Sequence, residues 1–410
     1  MAEPGGMARP RLPRLLVIGD AVSHTGFARV IRGIFEPLVE RYEIFQLGVN
    51  HWGDPHDWPW PIYPAAVSHY SLGVERVTEL VGRLRPDLVF ILNDPEAIAL
   101  YLVPLRHFEG LPVVAYAAYN AGPVEPEDLE ALEGCARLVV YTEFARAAVE
   151  EARARAAEPA RLPPVEVLPH GVDVQAFHPI DPDRGRARRL ARERLFPENP
   201  ELLDAFLVLN ANRNQPRKRI DVTMAGFARF AEGRSGVYLH LHMGAQDLGW
   251  NLPRLARRLG IEDRLILTHG GTSLPDLQDS ELNVIYNAAD VGINTATSEG
   301  WGLVSFEQAA AGLAQIVPEH TAGEELWRGA AELLPTAFTL TDPARGIAEH
   351  LIDPAAVASA LARLHGEPER LRALEQAAIE RARSPRFRWP NLSSAWDRIF
   401  REALDAGSNP

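Results

Sequence analysis

Lysine occurs once in this chain of 410 residues, at Lys218, against forty-one arginines. On a solvated surface either residue supplies a positive charge. A compact ammonium is required only where a planar guanidinium is too wide, as in a small pocket lined by oxygens. The octet around it, Asn212-Arg213-Asn214-Gln215-Pro216-Arg217-Lys218-Arg219, is strongly basic. Arg213 and Lys218 stand five apart across a turn containing Pro216, a spacing that suits two cations clamping the oxygens of a diphosphate. A second constellation reads Thr297-Ser298-Glu299-Gly300-Trp301-Gly302-Leu303-Val304-Ser305-Phe306-Glu307. Gly300 and Gly302 bracket Trp301, and a helix is expected to open near Gly302. Unpaired N–H groups at such an opening attract phosphate, and glycine lets a ligand approach the backbone closely. Glu299 and Glu307 are bidentate acceptors for vicinal hydroxyls, so the loop suits a ligand with sugars at both ends of a phosphate group.

The elements that must hold these residues alternate between strand and helix in two series, which predicts an α/β protein with doubly wound parallel sheets. Strands of the first series are expected at Leu15–Asp20, Glu43–Leu47, Leu88–Leu92, Val113–Ala117, Leu138–Tyr141 and Val165–Leu168. Those of the second are expected at Ala205–Leu209, Val237–Leu241, Leu265–Thr268, Val291–Ile293 and Ala314–Val317. Most are apolar on both faces, as strands buried in a parallel sheet are. Both chemical motifs follow strands of the second series, so they meet at one sheet edge.

Taken together, these residues resemble glycosyltransferase family 4, retaining enzymes of the GT-B fold. The resemblance rests on Glu299 and Glu307 within the Glu-Gly-Trp-Gly-Leu loop and on the Arg213…Lys218 pair. It is extended by Pro169-His170-Gly171-Val172-Asp173 through Phe177-His178-Pro179, where His170 replaces the usual asparagine, by Tyr286-Asn287-Ala288-Ala289-Asp290 and by Gly323-Glu324. It implies two Rossmann-like domains facing each other across a cleft, with a helical C-terminal segment. The expected boundaries are a disordered tail over 1–13, an acceptor domain over 14–169, a hinge over 170–180, a donor-binding domain over 181–385 and a C-terminal helix over 386–410.

The resemblance also implies roles. Arg213 and Lys218 would hold the diphosphate of a nucleotide-sugar donor, with no metal and no cofactor required. Glu299 would bind the donor sugar, Glu307 the ribose, and the N–H groups of Gly302, Leu303 and Val304, beside Gly300, the phosphates. Gly26 would face the donor from the first domain. The chain departs from the pattern where many members carry a histidine after the strand Val113–Ala117, because it reads Ala118-Tyr119-Asn120 there. Asn120 hydrogen-bonds hydroxyls but is no general base, whereas a front-face reaction with the leaving phosphate taking the acceptor proton needs none. Asp94, at another strand end, is a second cleft candidate. Removing Lys218 or Glu299 is expected to abolish transfer and leave folding intact. Two other readings are a sugar phosphorylase holding pyridoxal phosphate on Lys218 and a non-catalytic nucleotide-sugar sensor.

Composition bounds the rest. A formal net charge of −13 disfavours bulk nucleic acid and anionic lipid as partners. Cys135 is the single cysteine, which excludes an intrachain disulfide. No apolar run approaches a membrane span, the first residues lack a signal-peptide core, and a cytoplasmic location is expected. The segment Arg184 to Arg194 reads as a solvated arginine-rich helix. The His51-to-Trp60 loop reads as a packed apolar wall rather than a metal site.

Overall fold

The computed structural model describes residues 11–23, 25–65, 72–268, 271 and 277–407. Strands β1 (Arg14–Asp20), β2 (Glu43–Val49), β3 (Ile62–Pro64), β4 (Leu88–Asn93), β5 (Val113–Ala117), β6 (Arg137–Val140) and β7 (Val165–Val167) form a parallel sheet in the order β3-β2-β1-β4-β5-β6-β7. Strands β8 (Phe206–Asn210), β9 (Val237–Leu241), β10 (Leu265–Leu267), β11 (Val291–Ile293), β12 (Ala314–Pro318) and β13 (Glu332–Leu334) form a second, in the order β10-β9-β8-β11-β12-β13. Every residue of β4, β5, β8 and β12 is buried, which is why these strands read as unbroken apolar runs. The strand order reverses between β1 and β4 in one sheet and between β8 and β11 in the other. A doubly wound sheet opens a ligand crevice at the carboxyl edge of that switch point. This is the GT-B architecture.

The short edge strands β3 and β13 were not expected from the sequence. Nor was the antiparallel hairpin of β14 (Thr336–Thr341) and β15 (Ala348–Ile352), whose first strand is largely exposed. None of these segments carries a long apolar run, so periodicity alone did not mark them. Of the tail expected over 1–13, residues 1–10 lie outside the described residues. Residues 11–13 make contacts: Arg11 pairs with Asp87 at 2.7 Å, and the Pro13 carbonyl accepts from Glu43 N.

The arginine-rich helix Arg184–Leu195 is not simply solvated. Arg184, Arg188 and Arg192 recur at a spacing of four and so share one face, and that face turns inward. Arg192 is buried, donating to Asp290 Oδ2 at 2.6 Å and to the Ala205 and Ala288 carbonyls at 2.8 Å. Arg184 donates to the Gly312 carbonyl at 2.9 Å, and Arg188 pairs with Glu375. Asp290 also accepts from Leu207 N at 2.7 Å, so this network anchors β8.

The chain's last helix, Trp389–Gly407, returns to the first domain. Phe400 stacks on Phe35 at 5.7 Å, Tyr42 donates to Asp397 at 2.8 Å, and Ser393 Oγ bonds the Ile34 carbonyl at 3.2 Å. At the hinge, His170 is buried beside Tyr116 (2.8 Å between Nδ1 and Oη) and Trp301 (ring centroids 5.3 Å apart). Burial pushes its pKa down to about 3, so the ring is a neutral packing element joining the two halves. Cys135 is buried, its thiol pushed up to about 12 by that burial. Trp60 is buried as well and donates to Gln46 Oε1 at 2.9 Å.

Candidate functional site

The loop after β8 turns through a short 3-10 segment, Pro216–Lys218. Arg219 then takes a left-handed conformation (φ 47°) and opens the helix Ile220–Ala231. That turn aims the Lys218 side chain into the protein, where it is buried. Asn214 fixes the start of the loop, donating to the Trp250 carbonyl at 2.7 Å and accepting from Trp250 N at 3.0 Å. The loop after β11 is stitched to it through the backbone. Thr297 N donates to the Arg217 carbonyl at 2.8 Å, and Thr295 Oγ1 bonds the Arg219 carbonyl at 2.9 Å.

Where the two loops meet, Lys218 Nζ donates to Glu299 Oε2, and Asn294 Nδ2 reaches the same oxygen at 3.3 Å. Arg217 donates to the Ser298 carbonyl at 3.1 Å and lies 3.8 Å from Glu299 Oε1. Burial is the largest influence on Lys218, and it outweighs the attraction of Glu299, bringing the ammonium's pKa down to about 8. Burial pushes the Glu299 carboxyl up, but Lys218, Arg217 and the hydrogen bonds from Lys218 and Asn294 together hold it at about 2. The pair is therefore ionised across neutral pH.

Arg213 is not part of this contact. It is exposed and forms a two-pronged pair with Asp247, at 2.7 Å and 3.3 Å. The arginine beside Glu299 is Arg217, which the octet contains but which spacing alone did not single out.

The helix Leu303–Ala310 starts from Gly302, whose φ of 87° is a left-handed conformation that glycine takes without strain. Ser305 N bonds back to the Gly302 carbonyl at 3.1 Å. The preceding N–H groups, of Leu303 and Val304, have no acceptor within the helix. Glu307 is buried on the first turns of that helix. It accepts from Tyr286 Oη at 3.1 Å and faces Arg29 at 3.4 Å. Arg29 comes from the first domain, on the helix Gly26–Phe35, and also pairs with Asp279 at 2.6 Å. Burial raises the Glu307 pKa, and the Arg29 guanidinium opposes that rise.

The two halves touch at the predicted residues. A Cβ added to Gly300 would stand 2.6 Å from Asn120 Oδ1 and 3.2 Å from the Tyr119 carbonyl, and one on Gly26 would stand 3.0 Å from Leu303 Cδ1. Glu325 of the second domain caps the helix Glu143–Arg155 of the first, accepting from Phe144 N at 2.8 Å and Glu143 N at 3.1 Å. The unexpected hairpin spans the junction. Its Ala348 N donates to the Gly122 carbonyl at 2.7 Å and its His350 N to the Thr297 carbonyl at 2.9 Å. Asp94 lies at the mouth of this cleft. Its carboxyl is accessible, yet it is raised chiefly by the surrounding protein, with Arg217 and Arg345 acting on it from the opposite side. Among the described residues, no group of three or more His, Cys, Asp or Glu could hold a metal ion.

No family model matches the chain. It is 29% identical over 315 residues to the D-inositol 3-phosphate glycosyltransferase of Segniliparus rotundus, covering 75% of this chain and 62% of that protein. The chain spans about half to two thirds of the length of the curated relatives it matches. The sucrose-phosphate synthase structure from Thermosynechococcus elongatus superposes with a TM-score of 0.75 at 17% identity, covering 97% of this chain and all of that one. These relatives carry the motifs' reading from resemblance to kinship. The chain is a relative of curated glycosyltransferases, in keeping with its resemblance to glycosyltransferase family 4. Another GT-B structure, that of the Anabaena protein HepE in complex with UDP-glucose, has a TM-score of 0.69 at 15% identity, covering 95% of this chain and 99% of that one. Among the described residues, no helix of this chain is long and apolar enough to cross a membrane.

Proposed function

We propose that the chain is a retaining glycosyltransferase that moves a hexose from a nucleotide-diphosphate sugar to a hydroxyl acceptor, with no divalent metal and no cofactor. The observation that carries this reading is the only lysine in the chain, buried at the second switch point and ion-paired with Glu299, whose neighbour Gly300 meets the first domain's Asn120 loop. UDP-glucose is the donor to try first, being the ligand of the HepE complex.

In the reaction, the bond between the anomeric carbon and the diphosphate oxygen breaks and its electron pair stays on the phosphate. The acceptor oxygen bonds the same face of that carbon, and its proton passes to the leaving phosphate oxygen. Lys218, Arg217 and the N–H groups of Leu303 and Val304 supply positive potential where that charge grows, and Arg213, in the same loop, would join them only on leaving Asp247. Glu299 orients the sugar and Glu307 the ribose. Asn120 orients the acceptor rather than deprotonating it, which suits a reaction whose base is the leaving group. Domain contact excludes water from the donor.

The test is a thermal-shift panel of nucleotide sugars, followed by detection of nucleotide release. A bound donor stabilises the folded state by mass action. If no nucleotide sugar raises the melting midpoint and none is consumed, the reading fails.

A further inference from the structure

The first domain's side of the cleft carries carboxylates that no cation neutralises by contact. Asp20 ends β1 and Asp94 follows β4, the two strands that flank the first sheet's switch point. Asp20 is buried and held by neutral donors, Thr25 Oγ1 at 2.6 Å and Asn50 Nδ2 at 3.1 Å. Asp94 precedes the helix Pro95–Leu105 without capping it through its side chain, and among the described residues its carboxylate has no hydrogen bond or ion pair. Glu96 adds a third negative charge in the first turn of that helix. Burial raises the Asp20 carboxyl, while that of the accessible Asp94 is raised by the surrounding protein and the charges of Glu96 and Asp20, against the pull of Arg217 and Arg345.

Two buried hydroxyls stand behind them. Tyr119 lies just beyond β5 and Tyr141 just beyond β6, at 6% and 3% exposure, and each hydroxyl has no hydrogen-bond partner among the described residues. The Tyr141 hydroxyl is within range of the Asp94 charge and that of Tyr119 within range of Glu96.

The cations facing this wall from the second domain are already engaged. Arg217 holds the Ser298 carbonyl and Glu299. Arg345, on the turn of the hairpin, pairs with Asp342 through two nitrogens at 2.9 Å and 3.1 Å. The cleft is thus divided by charge, with positive potential around Lys218 on the donor side and negative potential at Asp20, Asp94 and Glu96 on the other.

We propose that the acceptor is a polyol that is uncharged or carries an ammonium group, and that this crevice rejects phosphorylated and carboxylated polyols. The inference rests on reading the cleft as that of a glycosyltransferase. It departs from the phosphorylated polyol in the names of the curated relatives. An anion placed beside the accessible Asp94 carboxylate is disfavoured by about tenfold in affinity.

The test uses the full chain saturated with UDP and three probes on one skeleton: glucose, glucosamine and glucose 6-phosphate, titrated by ligand-observed NMR. Glucose and glucosamine should bind, with glucose 6-phosphate at least about tenfold weaker. Asp94→Asn should narrow that gap and Asp94→Arg should reverse it, with melting curves confirming that both variants fold. The proposal is overturned if glucose 6-phosphate binds as well as glucose, if the Asp94 variants leave the ranking unchanged, or if none of the three binds. The UDP titration made first separates the two ideas. A chain that binds no nucleotide loses the glycosyltransferase reading, while one that binds UDP and prefers glucose 6-phosphate keeps that reading and loses this one.

Discussion

Lys218 and Glu299, 81 positions apart in the chain, meet as a buried ion pair at the junction of the two loops that carry the site. Neither charge is solvated, so removing Glu299 leaves Lys218 buried without its counter-ion, at a cost of about 3–5 kcal/mol, and removing Lys218 leaves Glu299 with only Arg217 and Asn294. Lys218→Ala and Glu299→Ala should therefore each lose stability as well as transfer, which revises the sequence-based expectation that folding would be untouched. The double variant should be destabilised by clearly less than the two single losses added together. Denaturant melts of the four proteins measure this, and additive losses would mean that the pair is not coupled. Lys218→Arg keeps the charge but overfills the site, so it should lose most activity and about 1–3 kcal/mol of stability.

The same pair makes the pH profiles of stability and transfer diverge. Lys218 has a folded pKa of about 8, below its ordinary 10.5. The unfolded chain therefore binds the extra proton between those values, and this group's contribution to stability rises with pH from about 8 upward. Transfer should move the other way, falling above pH 8 as the ammonium that faces the diphosphate is lost. For Glu299, held at about 2 against an ordinary 4.5, the stabilisation is full above pH 4.5 and lost as pH falls through 2. Rate–pH curves beside melts at the same pH values test this. A rate that stays level from pH 7 to pH 10 would remove Lys218 from the chemistry.

Glycine substitutions separate closure from folding. Gly300 has ordinary backbone angles but no room for a Cβ against Asn120 and Tyr119 of the other domain. Gly300→Ala should therefore leave the melting midpoint nearly unchanged while lowering kcat, because the Cβ must push the Asn120 side chain aside and crowds the Tyr119 carbonyl at the cleft. A Cβ at Gly302 would make only ordinary contact with the Glu299 side chain, at 3.5 Å, and its φ of 87° is the constraint. Gly302→Ala should cost roughly 1–2 kcal/mol of stability. Melting curves beside kcat distinguish them, since only Gly302→Ala should lower the midpoint.

Much of this was legible in the sequence because the physics involved is local. Buried parallel strands leave apolar runs, and a glycine before a helix marks a phosphate-sized opening, so β5, β9 and β11 and the Gly302 helix start fall where they were expected. What the sequence hid depends on pairings across the fold. Arg217 and Arg213 are equivalent in spacing logic, and only the left-handed turn at Arg219 decides which one lies beside Glu299. The inward face of Arg184, Arg188 and Arg192 is visible as a spacing of four, but its partners Asp290 and Glu375 lie about a hundred residues or more further on. The hairpin of β14 and β15 has exposed apolar side chains at Phe338 and Leu340, and no local pattern tells that it docks on Gly122.

Arg29 sets the last prediction. It reaches from the first domain to Glu307 and Asp279 of the second, at 3.4 Å and 2.6 Å, and so occupies the carboxylate expected to receive the ribose. Nucleotide entry must displace that guanidinium, which lowers apparent affinity by the fraction of molecules in which the contact is open. Arg29→Ala should therefore tighten UDP binding by about threefold or more, while Glu307→Ala should weaken it by about tenfold or more through loss of charged hydrogen bonds. Isothermal titration of both variants reads the two directions directly. If Arg29→Ala weakened UDP as strongly as Glu307→Ala, Arg29 would be part of the ribose site rather than its competitor.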